Sequence, residues 1–162
     1  MPQNLSLSWG ALAEARAAGV DDMLALHWEE VEGDGSPLDL NWPALRSLER
    51  SGVYRTLLLR QDDKLIGYAA FFVQPPLHHQ RTVWAVSDVL YVDPDHRGKA
   101  GVFMIKRFPA MLKAIGVKVI YMAVKPALPP ADLRYRRGRD SVGVLLQKLG
   151  YGRFEEAWVK HI

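Results

Sequence analysis

Residues 82–92 constrain the fold more than any other stretch of this chain. Read as a strand, they place Thr82, Trp84, Val86, Asp88, Leu90 and Val92 on one face and Val83, Ala85, Ser87, Val89 and Tyr91 on the other. Both faces are mostly apolar, so the strand belongs inside a sheet that is covered on both sides. Asp88 is the conspicuous acid in it. Asp93-Pro94 closes the strand, and residues 98–115 then recur as a helix through Met104, Ile105, Phe108, Met111, Leu112 and Ile115, with Lys106, Arg107 and Lys113 on the opposite face. Pro109 inside this helix removes a hydrogen bond, at a cost of up to about 3 kcal/mol unless the helix kinks. Gly116 caps the helix and residues 117–124 form another strand, so the unit predicts a parallel pair joined by a right-handed crossover.

The rest of the chain is read around that unit. Residues 12–31 have helical periodicity, with Gly19 breaking them into two pieces, and Gly33 to Pro37 give a turn. Asn41 stands as an N-cap before Trp42-Pro43, and the helix it starts runs to Arg50, where Ser51-Gly52 stop it. The amino-terminal third is therefore expected to be helical. Residues 54–60 and 65–73 flank Gln61-Asp62-Asp63-Lys64 as a hairpin. A loop with Pro126, Pro129 and Pro130 leads to a helix at 141–149 and a last strand at 154–161. The expected class is α/β (α+β), a central mixed sheet flanked by helices. With no internal repeat or linker, the 162 residues are expected to form one domain, 1–162.

Composition removes several function classes. No apolar run approaches the roughly 20 residues of a membrane span. Residues 1–8 lack the pattern of a signal peptide, so the expected location is cytoplasmic, with no membrane partner. There is no Cys, hence no thiol nucleophile or thiolate metal site, and the five His lack metal-motif spacing. A net charge of +3 favours anionic ligands without marking a nucleic-acid binder.

The chemistry concentrates in residues 89–102, a strand that passes through a glycine-containing turn into a helix. The first amides of a helix have no intrahelical acceptor, and with the helix dipole they present partial positive charge to a phosphate. Gly98, Ala100 and Gly101 give the backbone clearance for a pyrophosphate, and Arg97 and Lys99 add charge beside it.

This segment resembles the GNAT superfamily of N-acetyltransferases, whose signature is Arg or Gln, two residues, Gly, one residue, then Gly or Ala, after a central strand. The signature maps onto Arg97 to Val102, with Ala100 at its first glycine and Val102 at its second small residue. The resemblance extends over nearly the whole chain. It is strongest to a phage-associated subset of acetyltransferases, through residues 26–31, 87–91 and 145–151. It implies a GNAT-like fold in which acetyl-coenzyme A (acetyl-CoA) wedges between two splayed parallel strands. Leu90, Tyr91 and Val92 would pair with the pantetheine amides, Arg97, Gly98, Lys99, Ala100, Gly101 and Val102 would form the pyrophosphate turn, and Lys125 would line the cleft. The acceptor would be a small-molecule or peptide amine that attacks the thioester directly, without a covalent enzyme intermediate. Dimerisation is common in the family.

For the base, Asp88 is the first candidate, since burial within an apolar strand would raise its pKa and a water could relay the proton. His27, Glu29 and Glu30 are second candidates, because the first helical segment walls the acceptor side in this family. Leu146 stands where many members carry a Tyr acid, which leaves Tyr121, Tyr135 or solvent for that step. Plainer readings stand beside these: Asp88 as a capping or paired acid, and residues 27–30 as an amphipathic helix with a packed Trp and solvated acids. His78 and His79 read as exposed loop residues. Arg134, Arg136, Arg137 and Arg139 read as solvated charge, as a clamp for the adenosine 3'-phosphate, or as a steering patch.

Overall fold

The computed structural model describes residues 4–31, 37–123 and 142–154. Contacts divide the chain into two units, Met1–Ala123 and Val124–Ile162. The first unit holds a five-stranded sheet in the order β1-β2-β3-β4-β5, made of β1 (Leu5–Gly10), β2 (Tyr54–Gln61), β3 (Lys64–Gln74), β4 (Trp84–Val92) and β5 (Val119–Tyr121). β1 to β4 pair antiparallel in succession, and β5 runs parallel to β4. Its helices are α1 (Leu12–Ala17), α2 (Val20–Val31), α3 (Trp42–Arg50) and α4 (Lys99–Ala114). In the second unit, residues 142–148 are helical and residues 151–154 are irregular. The last strand expected at 154–161 lies almost entirely outside the described residues.

The amino-terminal third is not all helix. Leu5, Leu7 and Trp9 alternate with Ser6 and Ser8, and this short period-two run forms β1 against β2. The break expected at Gly19 is present, with φ +88. Asn41 caps α3 by accepting from the Ala44 amide at 3.1 Å. α1 has no side-chain cap of its own, and its Leu12 amide donates instead to Glu49 of α3 at 2.6 Å. The β2–β3 hairpin turns on Asp62 and Asp63, both left-handed at φ 47 and 68, as a two-residue turn matched to strand twist requires. α4 continues through Pro109 over its full 16 residues.

The core lies on both faces of the sheet. α1 and α2 cover Leu58, Leu65, Tyr68 and Tyr91 with Ala15, Val20 and Met23, and α3 brings Trp42, Leu45 and Leu48 against Tyr54, Ala70 and Phe72. On the other face Phe108 of α4 meets Phe71 with ring centroids 5.2 Å apart, and Met104 and Leu112 are fully buried. No helix among the described residues is long and apolar enough to cross a membrane.

The alternation expected along residues 82–92 is interrupted. The β3–β4 register passes from Ala70↔Val89 to Phe71↔Ser87, which leaves Asp88 opposite no residue, as a bulge. Val86, Val89 and Tyr91 therefore share one face, since Val86 pairs with Phe72 two residues beyond Ala70 on β3. The bulge also exposes Asp88. The expectation that this carboxylate is buried was wrong, because an unpaired residue that bends the strand leaves the covered sheet surface.

Candidate active site

The bulge sits where β4 and β5 part. Among the described residues, the parallel pairing is confined to Trp84↔Val119, Ala85↔Ile120 and Val86↔Tyr121. One residue further on, the Ser87 hydroxyl accepts from the Ala123 amide at 3.0 Å, a side-chain bond where a ladder bond would otherwise continue. Beyond it, no described strand pairs with Leu90, Tyr91 or Val92 on the β5 side. On the β3 side, Gly67 lets the backbones approach, because a Cβ built there would lie 2.7 Å from the Tyr91 carbonyl oxygen and 3.2 Å from Val92 Cα.

β4 leads through Asp93, which caps a single 3-10 turn (Pro94–His96), to Gly98 and α4. The first intrahelical bond of α4 runs from the Val102 amide to the Gly98 carbonyl at 2.9 Å. The amides of Lys99, Ala100 and Gly101 thus precede any intrahelical acceptor, whereas that of Val102 is already used. Gly98 is left-handed at φ +86, and a Cβ built there would meet nothing within 4 Å. Gly98 and Lys99 are exposed, and Ala100 is buried, so its methyl is covered rather than standing over the helix start. These features fit a pyrophosphate group.

Arg97 is committed elsewhere. One of its terminal nitrogens lies 2.7 Å from each carboxylate oxygen of Glu30, and its Nε donates to the Val92 carbonyl at 3.0 Å. The guanidinium lies 5.6 Å from the centre of the Tyr91 ring. One acceptor of the expected pantetheine edge and one cation of the expected phosphate turn therefore already have protein partners.

His27 turns toward the sheet. Its Nδ1 is 3.3 Å from the Tyr68 hydroxyl, and its ring is 5.0 Å from that of Tyr91. The Tyr68 phenol is pushed up in pKa, first by burial and then by Tyr91 and Asp88. Tyr91 is raised mainly by burial, with Glu30 adding to it and Arg97 opposing. Glu29 occupies the exposed side of α2 and is not brought to Asp88 by any bond. Asp88 itself has a partner that the sequence did not suggest, for the Tyr54 hydroxyl donates to its Oδ2 at 2.8 Å. Only the β2–β3–β4 register makes that pairing visible, because the two residues are 34 positions apart.

Tyr121 ends the paired part of β5 and is half-buried. Leu146 is buried in the second unit, where its carbonyl accepts from the Tyr151 amide at 3.0 Å. Lys125, Tyr135 and the arginine cluster at 134–139 lie outside the described residues. A separate cleft of about 340 Å³ is lined by Leu12, Ala13, Arg16, Asp21, Trp42 and Arg46. Its chemistry is largely satisfied internally, since Arg16 sits 4.3 Å from the centre of the Trp42 ring and pairs with Asp21 at 3.1 Å.

Solved structures share this fold. An aminoglycoside acetyltransferase from an uncultured soil metagenomic sample is 18% identical, with 98% of this chain and 97% of that one covered and a TM-score of 0.69. A ribosomal-protein-alanine N-acetyltransferase from Brucella melitensis biovar Abortus 2308 is 17% identical over 98% of both chains, with a TM-score of 0.67. A predicted acetyltransferase with acetyl-CoA from Clostridium acetobutylicum is 12% identical over 98% and 96%, with a TM-score of 0.62. At these identities the likeness shows the fold alone. No curated protein matches the sequence. The family model of the acetyltransferase (GNAT) family matches residues 18–138, which span most of the sheet, the bulge, the glycine turn and α4, and the chain belongs to that family.

Proposed function

We propose that this chain is an N-acetyltransferase, with 1–162 acting as one catalytic domain that moves an acetyl group from acetyl-CoA to a primary amine. The observation that carries the reading is that the β4–β5 ladder ends at Val86↔Tyr121, just before the Ser87–Asp88 bulge, and that among the described residues no strand pairs with Leu90, Tyr91 or Val92 on that side, upstream of the helix start of α4. Bound acetyl-CoA supplies a thioester carbonyl open to attack by a neutral amine. The edge at Leu90, Tyr91 and Val92 offers backbone groups to the pantetheine amides. The amides of Lys99, Ala100 and Gly101, with the clearance at Gly98, hold the pyrophosphate.

Asp88 is the base in this reading. As the amine nitrogen bonds to the carbonyl carbon, the carboxylate takes the nitrogen's proton, directly or through one water, and the carbon–sulfur bond breaks. The leaving thiolate takes a proton from solvent, so no Tyr is needed at position 146. His27 and Glu29 are secondary, His27 through its contact with Tyr68 and Glu29 as an exposed charge on the helix that walls the acceptor side. The phage-associated kinship belongs to the same reading and rests on the three segments that carry it.

A second reading, a silent CoA-binding scaffold, is favoured by one observation. Arg97 is neutralised by Glu30 and the signature positions carry Ala100 and Val102. Two measurements separate the readings. Acetyl-CoA at a hundred times its dissociation constant stabilises a binding fold by about 2.7 kcal/mol, and in a chain of this size that raises Tm by roughly 5 to 10 °C. Thiol release is then followed with sisomicin, spermidine and an alanine-ended peptide as acceptors. A thermal shift with thiol release supports the enzyme, whereas a shift without release from any amine supports the scaffold.

A further inference from the structure

We propose that Tyr54 is a positioning residue for Asp88, fixing through its hydroxyl bond which carboxylate oxygen faces the acceptor amine; this rests on the reading of Asp88 as the base. Asp88 is exposed and sits on a bulge, so nothing in its own strand restrains its carboxylate. Tyr54 is the opposite case. It is buried at the start of β2, packed with Leu12, Trp42, Leu45, Leu48 and Phe72, and edge-on to the Phe72 ring at 5.2 Å. Held in that cluster, the phenol donates to Asp88 Oδ2 at 2.8 Å.

The pairing has a defined chemical sense. Burial, and then Asp88 itself, push the Tyr54 phenol far up in pKa, so it stays protonated and acts only as a donor. One oxygen of the carboxylate is thereby occupied, and Oδ1 remains to accept a proton. The bulge supplies the third part of the device, since in a regular strand residue 88 would stand opposite a β3 residue. A fixed donor on β2, a gap in the β3–β4 register and an exposed acid thus combine into an acid of set orientation.

The test compares wild type, Tyr54→Phe, Asp88→Asn and the double variant, using acetyl-CoA and whichever of the three named amines reacts fastest. Loss of a hydrogen bond to a charged group corresponds to a fall in kcat of about ten- to a hundredfold. The acetyl-CoA dissociation constant, read by calorimetry, is expected to stay unchanged. KM for the amine is expected to stay unchanged, so that the loss falls on kcat. In the Asp88→Asn background, Tyr54→Phe is expected to cost nothing further. If Tyr54→Phe does not fold, 3-fluorotyrosine at position 54 keeps the ring and strengthens the donor, and kcat is expected to change with Asp88 present and not in the Asp88→Asn background.

A lower Tm with unchanged kcat would make Tyr54 a packing residue only. Equal losses from Tyr54→Phe with and without Asp88 would overturn the coupling. An Asp88→Asn enzyme at full rate would remove the base and this proposal while leaving acetyl transfer standing. Thiol release from wild type with none of the amines would fail the enzyme reading itself.

Discussion

Arg97 closes on Glu30, with one guanidinium nitrogen 2.7 Å from each carboxylate oxygen, and so ties the end of α2 to the turn that leads into α4. The pair neutralises a cation placed beside the helix start. Glu30→Gln keeps the side chain's shape and releases that charge, so acetyl-CoA is expected to bind about three- to tenfold tighter, a gain of order 1 kcal/mol. Calorimetric titration at two salt concentrations checks this, because the gain should shrink as salt screens it. Weaker binding would mean that Glu30 holds the turn in shape.

Gly67 sets how closely β3 approaches the Tyr91–Val92 edge. Adding a methyl there places carbon 2.7 Å from the Tyr91 carbonyl oxygen, and backbone cannot rotate away as a side chain can. Gly67→Ala is expected to cost about 1–3 kcal/mol, as overpacking does. A denaturant melt reads that loss, and a loss of acetyl-CoA affinity beyond it would tie Gly67 to the cofactor edge.

The hairpin turn offers the opposite sign. Asp63 stands at φ 68 with an exposed side chain, while its neighbour Asp62 exchanges bonds with Asn4. Glycine adopts that conformation without a Cβ penalty and is preferred at the second place of such a turn. Asp63→Gly is therefore expected to stabilise the fold by about 0.5–1 kcal/mol, measured by chemical denaturation. Asp62→Gly should gain less, because it gives up the bond to the Asn4 amide.

Tyr54 and Tyr68 make the fold sensitive to alkali. Both phenols are raised above the ordinary 10.0 in the folded state, chiefly by burial. Their stabilisation is complete below the unfolded value and is lost as pH climbs from there toward the folded values, since only the unfolded chain releases those protons. Each contributes a slope of up to about 1.4 kcal/mol per pH unit. Denaturant melts from pH 9 to 12 should show stability falling above pH 10, less steeply in Tyr68→Phe. An identical slope in that variant would assign the loss to other groups.

Much of this was legible in the sequence wherever one short-range pattern decided the outcome. Asn41 ahead of Trp42-Pro43, the break at Gly19, the turn at Asp62-Asp63 and the helix after Gly98 are local matters of capping, left-handed backbone and helical period. β1 carried the same kind of signal in Leu5-Ser6-Leu7-Ser8-Trp9, but six residues running straight into a helix are easily absorbed by the helical reading around them. α4 tolerates Pro109 because Phe108, Leu112 and Met104 are buried against the sheet, and tertiary packing outweighs one missing hydrogen bond.

The sequence by itself determined that a central strand runs into a glycine turn and a helix, and with it the family. Only the tertiary structure decided which groups Asp88 and Arg97 meet. Whether an acid in a strand is buried or exposed depends on strand register, and one unpaired residue between Ser87 and Val89 reverses it. Which group answers a charge depends on what distant segments bring within reach, and Tyr54 and Glu30 arrive from 34 and 67 residues away. Periodicity along a chain holds no information about such partners, because hydrogen bonds and ion pairs act over a few ångströms of space rather than along the sequence.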